Sequence, residues 1–467
     1  MENIPSLSNL NEEIDINTIY YELLKSKLEN EDLNHHSTPK LTPTALLNKS
    51  EIEQLPIIKW EALGLSSQPQ LYNLILRPMH AGIGSNLKRE KYIKKYPFSK
   101  NQNTVINAKG IDLKIPGRFL HLDSQNELFP LAYIHLYRAQ KLLELNKFKE
   151  ITIENCTGLE TRQSMEELWK FFYSYNVNCK IIKGKEILQT PIPTIPATHK
   201  APGGHGIFAI YSLYDLLFNK TYDSKEDTFI IISNGEDISA FPDIKMLDYM
   251  KNNKIPMAMV VTDKTQDDLK GGLLAIYKKN HHTLFQIYEL AQAQADNKVE
   301  WFEQMGLSIG KSKGLFNTNM FILQASLMRK ILLEDSKDFS FYQWCKQFHF
   351  DIIKNKKKAI SQEYIQLESA LASIFMGIDS YFLQKYNHRM MYYIHIPQDH
   401  RNQFFTPIKT ALDFYQLFYS KDFIWDESLL KLKRISHSFN IKEEQKKLKD
   451  KNIVDLLDII QEYTINF

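Results

Sequence analysis

The sequence predicts an α/β protein with a largely parallel sheet and helical additions at both ends. Three observations predict it. Short apolar runs alternate with helical stretches from Leu71 onward, the pattern of strands joined by crossover helices. Several runs are apolar on both faces, as in a sheet covered by helices on each side. Glycine-rich or carboxylate-bearing loops follow individual runs, where open α/β sheets bind ligands.

Residues 1–70 read as a polar, mostly helical lead-in. Thr18–Leu28 carries apolar residues at helical spacing, and Ile57, Trp60, Leu63 and Leu65 can pack it against the next domain. Residues 71–413 form the main domain. Its predicted strands are Leu71–Leu76, Glu150–Ile153, Cys179–Ile182, Thr228–Ser233 and Met257–Val261, then Leu273–Tyr277, Thr283–Glu289 and Met320–Leu323. Its predicted helices are Leu131–Leu145, Ser164–Tyr173, Ile207–Phe218 and Asp243–Asn252. Residues 414–467 read as a short helical appendage. Its run Lys442–Lys451 suits a solvated helix face, with a nucleic-acid patch as the other reading.

Composition narrows the function. Of 467 residues, 43% are hydrophobic and 24% charged, enough apolar surface for a folded core. The 58 basic and 55 acidic side chains leave a net charge of +3, so no general attraction to nucleic acid or membrane is expected. No apolar run approaches the ~20 residues that span a bilayer, and Met1–Asn11 lacks a signal-peptide pattern. Three scattered cysteines (Cys156, Cys179, Cys345) exclude a disulfide scaffold and suit the cytoplasm.

Seven stretches can carry chemistry. In His80-Ala81-Gly82-Ile83-Gly84-Ser85, two glycines let backbone amides approach a phosphate, and Lys88, Arg89, Lys91, Lys94 and Lys95 follow. A tight turn is the other reading. Gly203-Gly204-His205-Gly206 opens an apolar helix, as a close-approach loop or a flexible one. Ser233-Asn234-Gly235-Glu236-Asp237 puts carboxylates at a strand end, where they suit Mg²⁺ or a capping turn. The remaining four are Lys264–Gly272, Phe316–Asn319, Gln366–Ala370 and Phe405–Lys409 with Asp413 beyond.

Taken in order, these stretches resemble the UTP–glucose-1-phosphate uridylyltransferase (UDP-glucose pyrophosphorylase) family. The family's NGGLGT loop is similar to His80–Ser85, PPGHGD to Gly203–Ile207 and SNxDNLGATVD to Ser233–Asp243. KTxADVKGG is similar to Lys264–Gly272, FNTNN to Phe316–Asn319, QLETA to Gln366–Ala370 and FLPVKxxxDL to Phe405–Leu412 with Asp413. The resemblance implies a Rossmann-like mixed sheet of the nucleotide-diphospho-sugar transferase type. It implies that UTP and a sugar-1-phosphate give UDP-sugar, here UDP-glucose, and pyrophosphate, with Mg²⁺ bridging phosphate oxygens. It further implies nucleotide contacts at His80, Ala81, Gly82, Gly84, Ser85, Gly204, His205 and Gly206. Sugar contacts fall at Asn317, Glu289 and Lys270, metal contacts at Glu236 or Asp237, and catalytic lysines at Lys94 and Lys409. Lys91 and Lys95 are the alternatives to Lys94 for the first lysine.

The sequence departs from the family's pattern at several points, and the glycine loop's lysine lacks its usual Gly-Pro-Lys frame. His80 and Ala81 replace Asn and Gly, Glu236 takes the metal aspartate's register with Asp237 one place on, and Ile207 replaces Asp. The family's C-terminal β-helix is expected to be missing, which leaves oligomerisation open. The altered loop keeps a second expectation open: a nucleotide-binding protein or a nucleotidyltransferase with another acceptor on the same scaffold.

Overall fold

In the computed structural model the described residues are chiefly 56–64, 70–81, 133–163, 181–189, 191–196, 200–223, 227–265, 271–279, 281–289, 314–335, 351–357, 362–408, 422–426, 431–435 and 440–450, with isolated positions elsewhere. In chain order the elements are β1 (Ile57–Lys59), β2 (Asn73–Met79), α1 (Tyr133–Glu144), β3 (Glu150–Ile153), β4 (Cys156–Gly158) and β5 (Ile182–Lys183). Next come α2 (Gly206–Phe218), β6 (Thr228–Asn234), α3 (Ile244–Asn252), β7 (Met257–Asp263), β8 (Leu273–Lys279), β9 (His282–Tyr288), β10 (Leu315–Gln324) and α4 (Ala325–Asp335). The last are β11 (Asp351–Lys357), β12 (Gln362–Glu368), α5 (Leu371–Tyr386), β13 (Met391–Ile396), β14 (Phe423–Asp426), β15 (Lys431–Arg434) and α6 (Ile441–Asp450).

The chain divides into two compact units that interleave in sequence. This differs from the consecutive segments 1–70, 71–413 and 414–467 read from composition, because both units draw on distant stretches. One unit comprises Met1–Pro69, Gln189–Ile230 and Lys245–Ile396. In its sheet β1, β13, β7 and β10 lie side by side. β13 is parallel to both β1 and β7, and β10 is antiparallel to β7. Beyond β10, β8 and β9 pair antiparallel. The core strand β7, Met-Ala-Met-Val-Val-Thr-Asp, is buried at every residue except Asp263, as expected of a strand covered on both faces.

Helix α5 crosses this sheet. Phe375 packs on Phe321 of β10, ring centroids 5.0 Å apart. Asp379 is buried. Its carboxylate accepts from the amides of Met390 and Met391 (2.7 and 2.9 Å) and pairs with Arg389 at 2.6 Å. Asp379 therefore pins the middle of α5 to the start of β13. Arg329 of α4 donates to the Leu216 carbonyl at 2.9 Å, near the end of α2, and pairs with Asp223 at 2.6 Å. A cation there answers the negative end of the helix dipole.

The other unit comprises Gln70–Leu188, Ile231–Ile244 and Pro397–Phe467. β2, β3 and β5 are parallel neighbours, and β4 meets the end of β2 at Met79–Cys156. Arg77 is fully buried and pairs with Glu154 at 2.8 Å, which removes the large cost of an unpaired buried charge.

Two segments differ from the helical expectation. Ile57–Lys59 is a strand added to β13, because its branched residues complete the parallel edge. Trp60 beside it lies under the Lys245 ammonium, 3.4 Å from the ring centroid. Within 414–467, the antiparallel ribbon β14–β15 precedes α6. Among the described residues no helix is long and apolar enough to cross a membrane.

Candidate functional site

In the Gln70–Leu188 unit, three predicted stretches meet at strand ends. β2 finishes at Met79, and the Gly235 amide donates to the Met79 carbonyl at 3.1 Å. His80 continues the line by donating its amide to Cys156 at 2.7 Å. Ala81 lies against Gly158, where a Cβ would sit 3.1 Å from the Ala81 carbonyl oxygen. The Ile408 amide donates to the Glu236 carbonyl at 3.0 Å, and the Ile238 amide to Thr406 at 3.3 Å. The His80 and Glu236 stretches and the run leading to Lys409 therefore share one network. Gly82, Gly84, Ser85, Lys94 and Lys409 themselves lie outside the described residues, as does Lys270.

Helix α1 grips the same loop from the other side. His135 hydrogen-bonds the Gly235 carbonyl through Nε2 at 2.9 Å, and Arg138 donates to the Ile238 carbonyl at 2.8 Å. The two side chains are three apart, on one helix face. Phe241 carries both: His135 stacks on it at 5.9 Å, and the Arg138 guanidinium lies 4.3 Å from its centroid.

Glu236 and Asp237 are placed differently. Glu236 is half-buried, whereas Asp237 is fully buried. Asp237 Oδ1 accepts from the amides of Thr406 (2.8 Å) and Ser239 (3.1 Å), while Oδ2 is buried without a hydrogen-bond partner. Burial pushes the Asp237 carboxyl up from 3.8 to about 7, against the pull of those two amides. Burial also lowers Arg138 to about 9, partly offset by Asp237. Among the described residues no group of three or more His, Cys, Asp or Glu gathers. A cation held by Glu236 would complete its shell with ligand phosphate and water, as Mg²⁺ ordinarily does.

The raised carboxyl sets a pH dependence. Between pH ~4 and ~7 the folded protein holds this proton and the unfolded chain does not. Its stabilising contribution is therefore full at acid pH and falls as pH rises through that window. Wild type is expected to lose stability relative to Asp237→Asn from about pH 4.5 to about 7.5. Urea unfolding of both proteins across that range measures it; parallel curves would mean an ordinary, ionised carboxylate.

In the unit containing Lys245–Ile396, the glycine loop before α2 is clamped to the end of β12. Gly206 donates its amide to Ser369 at 2.8 Å, Ser369 donates to Gly203 at 3.2 Å, and Gln189 donates to the Gly204 carbonyl at 2.6 Å. Gly204 has φ +76°, and a Cβ there would lie 2.6 Å from Glu368 Cγ and from the Ser369 carbonyl oxygen. Gly204 and Gly206 are required by packing against Glu368–Ser369, and exposed His205 stands at the helix entry.

The Phe316–Asn319 stretch forms an irregularity in β10. Pairing with β7 runs Val260–Met320 and then Val261–Asn317, so Thr318 and Asn319 are extra. Asn317 Oδ1 accepts from the Asn319 amide at 2.7 Å, Asn319 takes φ +60°, and Thr318 donates to the Val260 carbonyl at 2.6 Å. The Asn317 amide donates to Gly272 at 3.0 Å. Gly272 lies against the end of β9, where a Cβ would stand 2.0 Å from Ile287 and 3.1 Å from Glu289 Cγ. Asn317, Gly272 and exposed Glu289 are thus brought together.

Residues that sequence reasoning missed include His135 and Arg138, which hold the Glu236 loop together with Thr406 of the Phe405–Lys409 stretch. His395 is another; its Nε2 meets Asp263 at 2.8 Å. The only sequence signal was His135 and Arg138 at helical spacing before an apolar strand.

The chain is similar to known proteins in sequence and in fold. The model of the UTP–glucose-1-phosphate uridylyltransferase family matches residues 180–463. The chain is 32% identical over 145 residues to a UTP–glucose-1-phosphate uridylyltransferase of Encephalitozoon cuniculi, covering 31% of this chain and 25% of that protein. It is 35% identical over 170 residues to UTP–glucose-1-phosphate uridylyltransferase 2 of Dictyostelium discoideum, covering 36% and 30%. The chain thus spans less than a third of the length of these two relatives. The fold matches a Leishmania major UDP-glucose pyrophosphorylase in complex with UDP-glucose (TM-score 0.59, 15% identity, 89% of this chain and 78% of that one). A second Leishmania major pyrophosphorylase structure gives TM-score 0.61 at 16% identity, over 90% and 79%.

Proposed function

Because the chain belongs to the UTP–glucose-1-phosphate uridylyltransferase family, we propose that it makes UDP-glucose and pyrophosphate from UTP and glucose-1-phosphate. The observation that carries this reading is the strand-end network. In it the loop bearing Glu236 and the run ending at Ile408 are joined by backbone hydrogen bonds, one residue short of Lys409.

A sugar-phosphate oxygen attacks the α-phosphorus of UTP, the new P–O bond forms, and the bond to the β,γ-pyrophosphate breaks. The nucleophile is already anionic, so no base is needed; positioning and charge neutralisation do the work. Lys409 neutralises charge on the transferring phosphoryl group, with Lys94 assisting from the glycine loop. Amides of the His80–Ser85 loop hold phosphate. Gly204, His205 and Gly206 line the nucleoside side, and Asn317, Glu289 and Lys270 the sugar side. Mg²⁺ supplies further charge neutralisation when bound. Half-buried Glu236 is the residue to hold it, while buried Asp237, spent on two amides, positions the run before Lys409. The buried free thiols of Cys156 and Cys345 suit a reducing cytoplasm.

Pyrophosphate release from UTP, glucose-1-phosphate and Mg²⁺ tests the reading. UTP binding without turnover would favour the altered-scaffold alternative. Glu236→Gln is expected to raise the Mg²⁺ concentration for half-maximal rate about tenfold, the effect of ~1.4 kcal/mol, with an unchanged melting temperature. An unmoved Mg²⁺ requirement would show that Glu236 is not the ligand.

A further inference from the structure

We propose that Asp263 and His395 form a further substrate-contacting pair that reads the sugar hydroxyls of the sugar-1-phosphate. The inference rests on the uridylyltransferase reading. It begins from the register of the sheet. Val261 pairs with His395 on one side and Asn317 on the other, and Asp263 pairs with Leu315. Paired residues on neighbouring strands point to the same face, so His395, Asp263 and Asn317 share one face. Exposure agrees: Leu315, Asn317, Asp263 and His395 are half-buried, whereas Phe316, Thr262, Ile394 and Ile396, on the opposite face, are buried. At the carboxyl end of the parallel pair β7–β13 the half-buried polar side chains thus lie on one face, around the buried Val261.

Helix α5 covers that same face further back. Phe321 pairs with Met259, two residues before Val261, and it is Phe321 that Phe375 touches. Asp379 is bonded to the start of β13, and Phe375 lies further along the sheet, so α5 runs antiparallel to β13. From Asp379 back to Leu371 the helix climbs about 12 Å. From Met391 to His395 the strand advances about 13 Å. The amino end of α5 thus reaches the level of His395. Ser369, to which the Gly203–Gly206 loop is bonded, lies two residues before its first turn. The glycine loop, Asn317 and the Asp263–His395 pair consequently lie on one face near the carboxyl ends of β7 and β13, the ends at which such sheets take ligands.

The pair's chemistry suits a hydroxyl ligand. Asp263 fixes the imidazole through Nε2, with side-chain exposures of 36% and 20% for Asp263 and His395. Ligand recognition then falls to Nδ1, which accepts or donates according to tautomer. A site built to bond substrate hydroxyls rejects analogues that lack them far better than an apolar pocket rejects extra bulk.

His395→Ala is expected to raise KM for glucose-1-phosphate about tenfold, with KM for UTP and kcat within about twofold. Discrimination against deoxyglucose-1-phosphates should shrink with it. Wild type should be stabilised more by UDP-glucose than by UDP in a thermal shift. His395→Ala should lose that difference while keeping the UDP shift, and His395→Gln, which retains a donor and an acceptor, should recover part of it. If His395→Ala does not fold, His395→Gln and Asp263→Asn carry the same comparisons. Unchanged sugar KM in an active enzyme, or sugar and UTP constants moving together, would overturn this inference alone. A wild type that neither turns over UTP nor binds UDP would overturn the uridylyltransferase reading together with it.

Discussion

Lys409→Ala is expected to lower kcat by roughly 10²–10³-fold, the usual loss when one preorganised charge stabiliser is removed from a transferring group. The size reflects how firmly the preceding residues are held. Thr406 is bonded to the Asp237 carboxylate and Ile408 to the Glu236 carbonyl, and the Ser239 hydroxyl lies 2.8 Å from the Asn402 carbonyl and 3.0 Å from Thr406 Oγ1. A backbone fixed in this way spends little binding energy on ordering the lysine. The fold should survive, because none of these contacts involves the Lys409 side chain. Steady-state pyrophosphate release beside a urea unfolding curve separates the two effects. Full turnover in the variant would remove Lys409 from the chemistry.

Gly206→Ala is expected to cost about 3 kcal/mol of stability, the upper part of the range for overpacking. A Cβ there would lie 1.8 Å from Ser369 Oγ, 2.6 Å from Ser369 Cβ and 3.0 Å from the Ser369 carbonyl oxygen. Rotating the serine relieves only the first contact. Adding Ser369→Gly should recover about 1–2 kcal/mol, as coupled neighbours do. The recovery would be incomplete, since the carbonyl remains. A lower urea midpoint at unchanged slope is the reading to look for. An unaltered midpoint would mean that the loop moves freely away from Ser369.

The strands and helices were legible where their own side chains specify them. Glu150–Ile153 matches β3, Thr228–Ser233 lies within β6 and Ile207–Phe218 within α2, because each carries an unbroken apolar run or stripe. The predicted Met320–Leu323 caught only the far end of β10. Its first half alternates exposure around Asn317 and Asn319, which hides the strand period behind the irregularity. Ile57–Lys59 was too short to show any period, and it becomes a strand only because β13 offers an edge.

The site was legible to the same partial degree. Motif order singles out the His80, Glu236 and Phe405–Lys409 stretches, and the contacts among Met79, Gly235, Glu236, Thr406 and Ile408 depend on backbone groups that any sequence carries. That Asp237 is buried while Glu236 stays half-buried was not legible. It follows from which carboxylate the Thr406 amide reaches, 169 positions away. His395 was missed because its partner Asp263 stands on another strand, and only the parallel register makes them neighbours.

The bond from Thr406 to Asp237 has a kinetic consequence. The entropy of closing a loop rises with its length, though slowly, and contacts of such sequence separation slow folding. During synthesis the loop around Glu236 leaves the ribosome long before the segment that braces it. A nascent chain therefore carries the Asp237 carboxyl without its Thr406 partner until that segment has emerged.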